Sequence, residues 1–117
     1  MLPEKYRLKS RSAFTATYKI NNSFHKNGIT VFCGKNKSNN NPTKIGFVVS
    51  KKIHKRAVKR NRIKRLMRES IRLYIKKTSD FDTKYISMIF VASSGALNMG
   101  FKEIDKNIKL LMDKIND

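Results

Sequence analysis

The sequence is poor in cysteine, histidine and acidic residues, and each scarcity excludes a kind of chemistry. Cys33 is the only cysteine in 117 residues, which excludes an internal disulfide and a cysteine-based zinc site and favours burial as a small hydrophobic side chain. His25 and His54 have no carboxylate nearby in sequence, and most of the eight acidic residues follow residue 79. Side-chain catalysis would need such groups clustered. We therefore predict no catalytic residue and no metal site in this chain.

Positive charge, in contrast, is abundant and uncompensated. The chain has 27 Lys and Arg against 8 Asp and Glu, a formal net charge of +19, and no acidic residue lies between Glu4 and Glu69. Such a chain requires a polyanionic partner. Apolar runs are too short for a transmembrane helix, and residues 1–9 lack the apolar segment of a signal peptide, so we expect a cytoplasmic protein with no membrane partner.

The periodicity of the apolar residues predicts an α+β fold in one domain, residues 1–117. Phe14 and Tyr18 share one face of a first helix capped by Ser10 or Ser12. Residues 21–26 are interpreted as a polar connection and 35–42 as a loop, and strands are expected at 28–34, 44–50 and 85–92, the last of them central. Helices are expected at about 57–77 and 101–115. The class is a two-layer α/β sandwich, with a mixed β-sheet of about four strands and three helices in the order α-β-β-β-α-β-α.

The helix at 57–77 is the most basic part of the chain. Residues 51–77 contain 13 Lys or Arg and one acidic residue, Glu69. Most charged pairs at i,i+4 spacing in this segment therefore have the same sign and repel each other. A helix face that is merely exposed to solvent normally carries both acidic and basic residues. The excess of basic residues therefore indicates contact with a nucleic acid. The apolar arc of the helix is predicted to consist of these residues: Ile63, Leu66, Met67, Ser70, Leu73 and Tyr74.

The same segment resembles the protein subunit of bacterial ribonuclease P. In that family a strand ends in Val-Ser-Lys-Lys or Val-Ala-Lys-Lys, and a helix with the pattern Ala-x-x-Arg-Asn-Arg-Ile-Lys-Arg-x-x-Arg-Glu follows. Here the two motifs are Val49-Ser50-Lys51-Lys52 and Ala57-Val58-Lys59-Arg60-Asn61-Arg62-Ile63-Lys64-Arg65-Leu66-Met67-Arg68-Glu69. The order of predicted elements extends the resemblance over nearly the whole chain.

The resemblance implies an RNA-binding subunit of an endoribonuclease whose catalytic RNA removes the 5′ leader from precursor tRNA. The expected partners are that RNA and the single-stranded leader, with no obligate protein partner, and Mg²⁺ is expected to be held mainly by RNA. Residues implied in RNA binding are Lys51, Lys52, Arg56, Lys59, Arg60, Asn61, Arg62, Lys64, Arg65 and Arg68. Residues implied in a leader-binding cleft between the first helix and the sheet are Lys9, Arg11, Phe14, Tyr18 and Phe32.

Other interpretations of the residues remain open at this point. A structural RNA-binding protein of the small ribosomal type would have the same size, charge and α+β pattern, and only the segment 60–69 separates the two. A DNA-binding module is disfavoured because no heptad repeat and no zinc-finger set is present. The three aromatic residues of the implied cleft could also be ordinary core residues.

Overall fold

The computed structural model describes residues 2–38, 41–49, 56–78 and 83–115. A 3₁₀ turn at Glu4–Tyr6 precedes helix α1 (Arg11–Ile20), and a second 3₁₀ turn at Ser94–Ala96 precedes the last helix. The remaining elements are β1 (Asn22–Lys26), β2 (Ile29–Cys33), β3 (Lys44–Val49), α2 (Ala57–Thr78), β4 (Ser87–Ala92) and α3 (Phe101–Ile115). The predicted order and α+β class are confirmed. No helix in these ranges is both long and apolar enough to cross a membrane.

The four strands form one mixed sheet in the order β1-β2-β4-β3. Only the pair of β3 and β4 is parallel, and α2 lies in the connection between these two strands. The apolar strand β4 is central, as predicted, because both of its edges are paired and nearly all of its side chains are buried. The register aligns Val31, Phe90 and Phe47 in one row across the sheet.

Alternate side chains of the strands divide the sheet into two faces. One face packs on α2 and α3, where Ile45 and Val49 join buried residues of both helices. Cys33 is on this face, fully buried, and burial raises the pKa of its thiol to about 12. The other face carries α1, so the sheet lies between α1 and the two longer helices.

The prediction that residues 21–26 form a polar connection is wrong. Residues 22–26 form the edge strand β1, which pairs antiparallel with β2 so that Lys26 faces Ile29. The two residues between them, Asn27 and Gly28, have φ of 44° and 85°. Such a two-residue turn is the tightest common hairpin, and Asn-Gly is its usual sequence. The Asn-Gly pair could have indicated the hairpin. The strand itself was hard to predict because Phe24 is its only apolar residue.

The predicted apolar arc of α2 is partly wrong. Ile63, Met67 and Ser70 are buried as expected, but Leu73 is 39% exposed and Ile71 is fully buried in its place. Leu66 and Tyr74 pack at the margin of the core. The buried stripe is rotated because α2 contacts α3 as well as the sheet, and the Ser70 hydroxyl donates to Asp105 Oδ1 of α3 at 2.7 Å.

Candidate nucleic-acid interface

The aromatic residues of the implied cleft lie where α1 crosses the sheet. The register aligns Phe32, Ile89 and Gly46 in one row, and α1 lies over this row. The Phe14 ring packs on Gly46, and the Tyr18 ring meets Phe32 edge to face, with centroids 5.0 Å apart. None of the three aromatic side chains belongs to the buried core, because Tyr18 is 37% exposed and the other two are half-buried.

Beside α1 the same face of the sheet is open. Its next row consists of His25, Thr30, Val91 and Val48, and the two valines are only half-buried. His25 Nδ1 and the Thr30 hydroxyl are 2.8 Å apart and share a hydrogen bond. Partial burial raises the pKa of the Tyr18 phenol. Together α1 and this row form a groove with partly exposed rings on one wall.

The basic residues of α2 are distributed over two flanks of the helix. Arg62 lies on the flank toward α3, and its Nη2 donates to the Met99 carbonyl at 3.1 Å. Lys64 and Arg68, four residues apart, lie on the flank toward the N-terminal segment, where both line a cavity. The most exposed of the predicted RNA-binding residues are Arg56, Lys59, Asn61 and Arg65. Lys51 and Lys52 lie outside the described residues.

The cavity beside Lys64 and Arg68 brings the two predicted sets of residues together. Its volume is about 320 Å³, and its walls include the Phe14 ring, Arg7 and Lys9. Arg7 follows the 3₁₀ turn and forms a bridge with Ile45 of β3, after which Leu8 N–H donates to the Ile45 carbonyl at 2.9 Å. This pairing fixes the extended segment against the sheet and directs its basic side chains toward α2.

Arg7 is a candidate residue that the sequence analysis did not single out. Its Nε atom is buried and has no hydrogen-bond partner among the described residues. A buried donor of a cation without a partner is costly, and no contact of the Nε atom among the described residues offsets this cost. The spacing of Arg7 could have indicated it in the sequence. Arg7 and Lys9 are two residues apart in an extended segment and therefore share a face.

Lys9 and Arg11 differ in their surroundings. Lys9 forms an exposed ion pair with Glu4, and this hydrogen bond, aided by the charge of Lys9, lowers the pKa of the Glu4 carboxyl. Arg11 is exposed in the first turn of α1, where a cation is unfavourable for the helix dipole. Its position is therefore not explained by helix stability.

The described residues contain no group of three or more His, Cys, Asp or Glu side chains that could hold a metal. Glu4, the acidic residue at the edge of the cleft, is engaged by Lys9. Mg²⁺ prefers carboxylate and phosphate oxygens, and this surface presents cations instead.

A mixed sheet covered by helices, with a basic helix beside a groove that has partly exposed rings on one wall, defines the class: an α+β RNA-binding protein. The family model described as Ribonuclease P matches residues 2–116, and the chain belongs to this family. It is 37% identical over 112 residues to the ribonuclease P protein component of Clostridium kluyveri, covering 93% of both chains. It is also 37% identical over 109 residues to that of Clostridioides difficile, covering 92% of this chain and 89% of the relative.

Solved structures agree with this assignment. The ribonuclease P protein of Staphylococcus aureus superimposes with a TM-score of 0.78 at 26% identity, covering 96% of this chain and 98% of that one. The protein of Thermotoga maritima, at 21% identity, shares the fold with a TM-score of 0.74 over 95% and 98% of the two chains. The predicted family is confirmed, and with it an RNA-binding function in tRNA 5′ processing within the ribonuclease P endoribonuclease.

Proposed function

We propose that this chain binds the catalytic RNA of ribonuclease P through α2 and the single-stranded 5′ leader of precursor tRNA in the groove beside α1. The observation that carries the proposal is the cavity in which Lys64 and Arg68 of α2 meet Phe14 of α1. There the basic helix and the aromatic groove form one continuous surface, so one protein can contact a folded RNA and a strand emerging from it.

The charge of α2 supports contact with a structured RNA. Glu69 is the single acidic residue of the helix, and it is engaged by Arg72 at 2.6 and 2.9 Å. Within the described residues, Lys64 and Arg68 have no carboxylate at salt-bridge distance. Guanidinium groups bind phosphate oxygens in pairs and lysines add flexible point charges, so phosphates would replace the missing acidic partners.

The groove supports contact with an unpaired strand. Unstacked bases can lie on aromatic rings while their phosphates meet neighbouring cations, and this recognition tolerates any sequence. Phe14, Tyr18 and Phe32 provide partly exposed rings, and Arg7, Lys9 and Arg11 provide cations around the N-terminal end of α1. A leader of variable sequence requires this kind of recognition.

The chemistry of the surface supports a division of labour between the protein and the catalytic RNA. We assign catalysis to the RNA subunit and place Mg²⁺ mainly on RNA phosphates, because the groove presents cations and a single engaged carboxylate. The protein contributes by binding and orienting, and it needs no further protein for this role. We place it in the cytoplasm, with its RNA partners.

Reconstitution tests the proposal. Mixed with a bacterial ribonuclease P RNA and precursor tRNA at low Mg²⁺, the protein should restore 5′ cleavage, because its cations replace part of the screening that Mg²⁺ gives the RNA. Arg65→Ala, on the exposed side of α2, should weaken assembly with the catalytic RNA by about five- to tenfold, in the range of a lost charge-assisted contact. Phe14→Ala should leave assembly unchanged and weaken binding of leader-bearing substrate relative to mature tRNA.

Lys77→Ala is the matched control for Arg65→Ala, because it removes one exposed cation from the far end of the same helix. It should assemble like the unsubstituted protein. If Arg65→Ala and Phe14→Ala had the same effect in both assays, two separate binding surfaces would be excluded.

A further inference from the structure

A second cavity lies on the other flank of α1, away from the open row of the sheet. Its volume is about 410 Å³, and its walls are largely apolar, with Ala13, Ala16, Pro42 and Ile86 among them. The small alanine side chains of α1 leave this space open, and Ile86, although large and apolar, is 43% exposed beside it. An apolar cavity of this size suits a planar aromatic group.

The floor and the rim of this cavity are polar. At the floor, the hydroxyls of Thr17 and Ser87 are 2.6 Å apart and share a buried hydrogen bond, which fixes α1 against β4. Lys35 and Lys44 lie at the rim and are exposed, and Lys44 Nζ donates to the Lys5 carbonyl at 3.1 Å. The described residues that line the cavity include no acidic side chain. Apolar walls below a cationic rim are complementary to a base below its phosphate.

This cavity is continuous with the proposed interface. A smaller cavity of about 270 Å³ lies between it and the one beside Lys64 and Arg68. Leu8 lines all three cavities. Arg7 and Lys9 line the smaller cavity and the one beside Lys64 and Arg68, whereas Ala13 and Lys44 line the smaller cavity and the apolar one. The three cavities therefore form a track around the N-terminal end of α1. The only acidic residue along it in the described structure is Glu4, which is paired with Lys9.

We propose that the apolar cavity between Ala16 and Ile86 receives a nucleotide of the 5′ leader that lies beyond the aromatic groove, its phosphates held by Lys35 and Lys44. The inference rests on the proposed function and extends it, because it gives the leader a second site on the opposite flank of α1. The occupant is an unpaired nucleotide, because the cavities that lead from the proposed RNA interface to this one are lined by Arg7, Lys9 and Lys44.

The test is a series of substrates whose leaders are lengthened one nucleotide at a time, bound to the reconstituted holoenzyme. Ala16→Leu fills the cavity from α1. It should leave the affinity for mature tRNA and for the shortest leaders unchanged, and it should weaken binding by about fivefold or more once the leader is long enough to reach the cavity, the lower end of the effect of losing one stacked base. Thr15→Leu adds similar bulk at an exposed neighbouring position outside the cavity and should behave like the unsubstituted protein.

A second variant keeps the test independent of packing in α1. Lys35→Ala should show the same dependence on leader length, and Lys114→Ala, an exposed lysine near the end of α3, should not. If Phe14→Ala weakens leader binding while Ala16→Leu and Lys35→Ala match the unsubstituted protein at every length, the cavity proposal is overturned and the proposed function stands. If Phe14→Ala is also without effect, the proposed function fails. A loss that is equal for mature tRNA would assign the cavity to another RNA segment and overturn the proposal as well.

Discussion

Gly46 determines where the Phe14 ring can lie. A Cβ atom at this position would be 2.5 Å from Cζ and 2.6 Å from Cε1 of Phe14, closer than side-chain contacts allow. Residue 46 has an ordinary extended backbone, so space rather than conformation requires the glycine. Because the obstacle is the far end of a side chain on α1, a larger residue would displace the ring and leave the strand in place.

At this position we predict that Gly46→Ala reproduces the binding defect of Phe14→Ala without a comparable loss of stability. Leader-dependent binding should weaken by about fivefold or more. The free energy of unfolding should change by less than ~1 kcal/mol, because alanine suits a strand better than glycine does. Binding of precursor and mature tRNA, together with denaturant unfolding, checks both values.

Gly100→Ala is the control for this change, since a Cβ atom there meets nothing within 4 Å. It should bind the leader normally. Normal leader binding by Gly46→Ala, in a protein whose Phe14→Ala variant is defective, would show that the ring acts from another position.

Among the elements, those with a strong pattern could be predicted from sequence and those defined by their neighbours could not. β4 is nearly continuously apolar, and α3 has Ile104, Ile108 and Leu111 at helical spacing, so both were predicted close to their observed bounds. β1 has little apolar content and exists because it pairs with β2. The Asn27-Gly28 turn would have indicated it.

For the candidate interface, the sequence predicted which elements carry the basic and aromatic residues but not how these residues lie relative to one another. The sequence indicated a basic α2 and a ring pair on α1, but not that Lys64 and Arg68 lie beside Phe14 while Arg62 faces Met99. That division depends on how α2 is rotated about its axis, which its packing against α3 determines. Arg7 was missed because its position depends on the pairing of its segment with β3.

The rotation of α2 about its axis predicts which of its apolar side chains contribute most to stability. Ile71→Ala removes a fully buried side chain and should lower the free energy of unfolding by ~2–5 kcal/mol, whereas Leu73→Ala, at a position 39% exposed, should lower it by less than ~1 kcal/mol. Urea unfolding of the two variants gives the comparison. If Leu73→Ala were the more destabilising change, α2 would be rotated as its sequence pattern alone suggests.

For the whole molecule, apolar residues stabilise the fold, and the positive charge serves binding. The core lies between the sheet and the undersides of α2 and α3, and no Lys, Arg, Asp or Glu of the described residues is buried, so their charges lie on the surface. Like charges on that surface repel and favour expansion of the chain. A bound polyanion removes this repulsion, and the RNA partner should therefore stabilise the folded protein as well as bind it.

Salt dependence measures how many phosphates the surface contacts. Raising monovalent salt from about 50 to about 200 mM should weaken binding to the catalytic RNA by ~10³ to 10⁵ if about six to ten phosphates are neutralised. The double variant Lys64→Ala/Arg68→Ala should lower the magnitude of the log–log slope by about 2, because each lost contact releases about one counterion fewer. Lys102→Ala/Lys106→Ala removes the same net charge from exposed positions on α3 and should leave the slope nearly unchanged. Equal slopes for the two double variants would mean that net charge, and not the cations placed beside Phe14, holds the RNA.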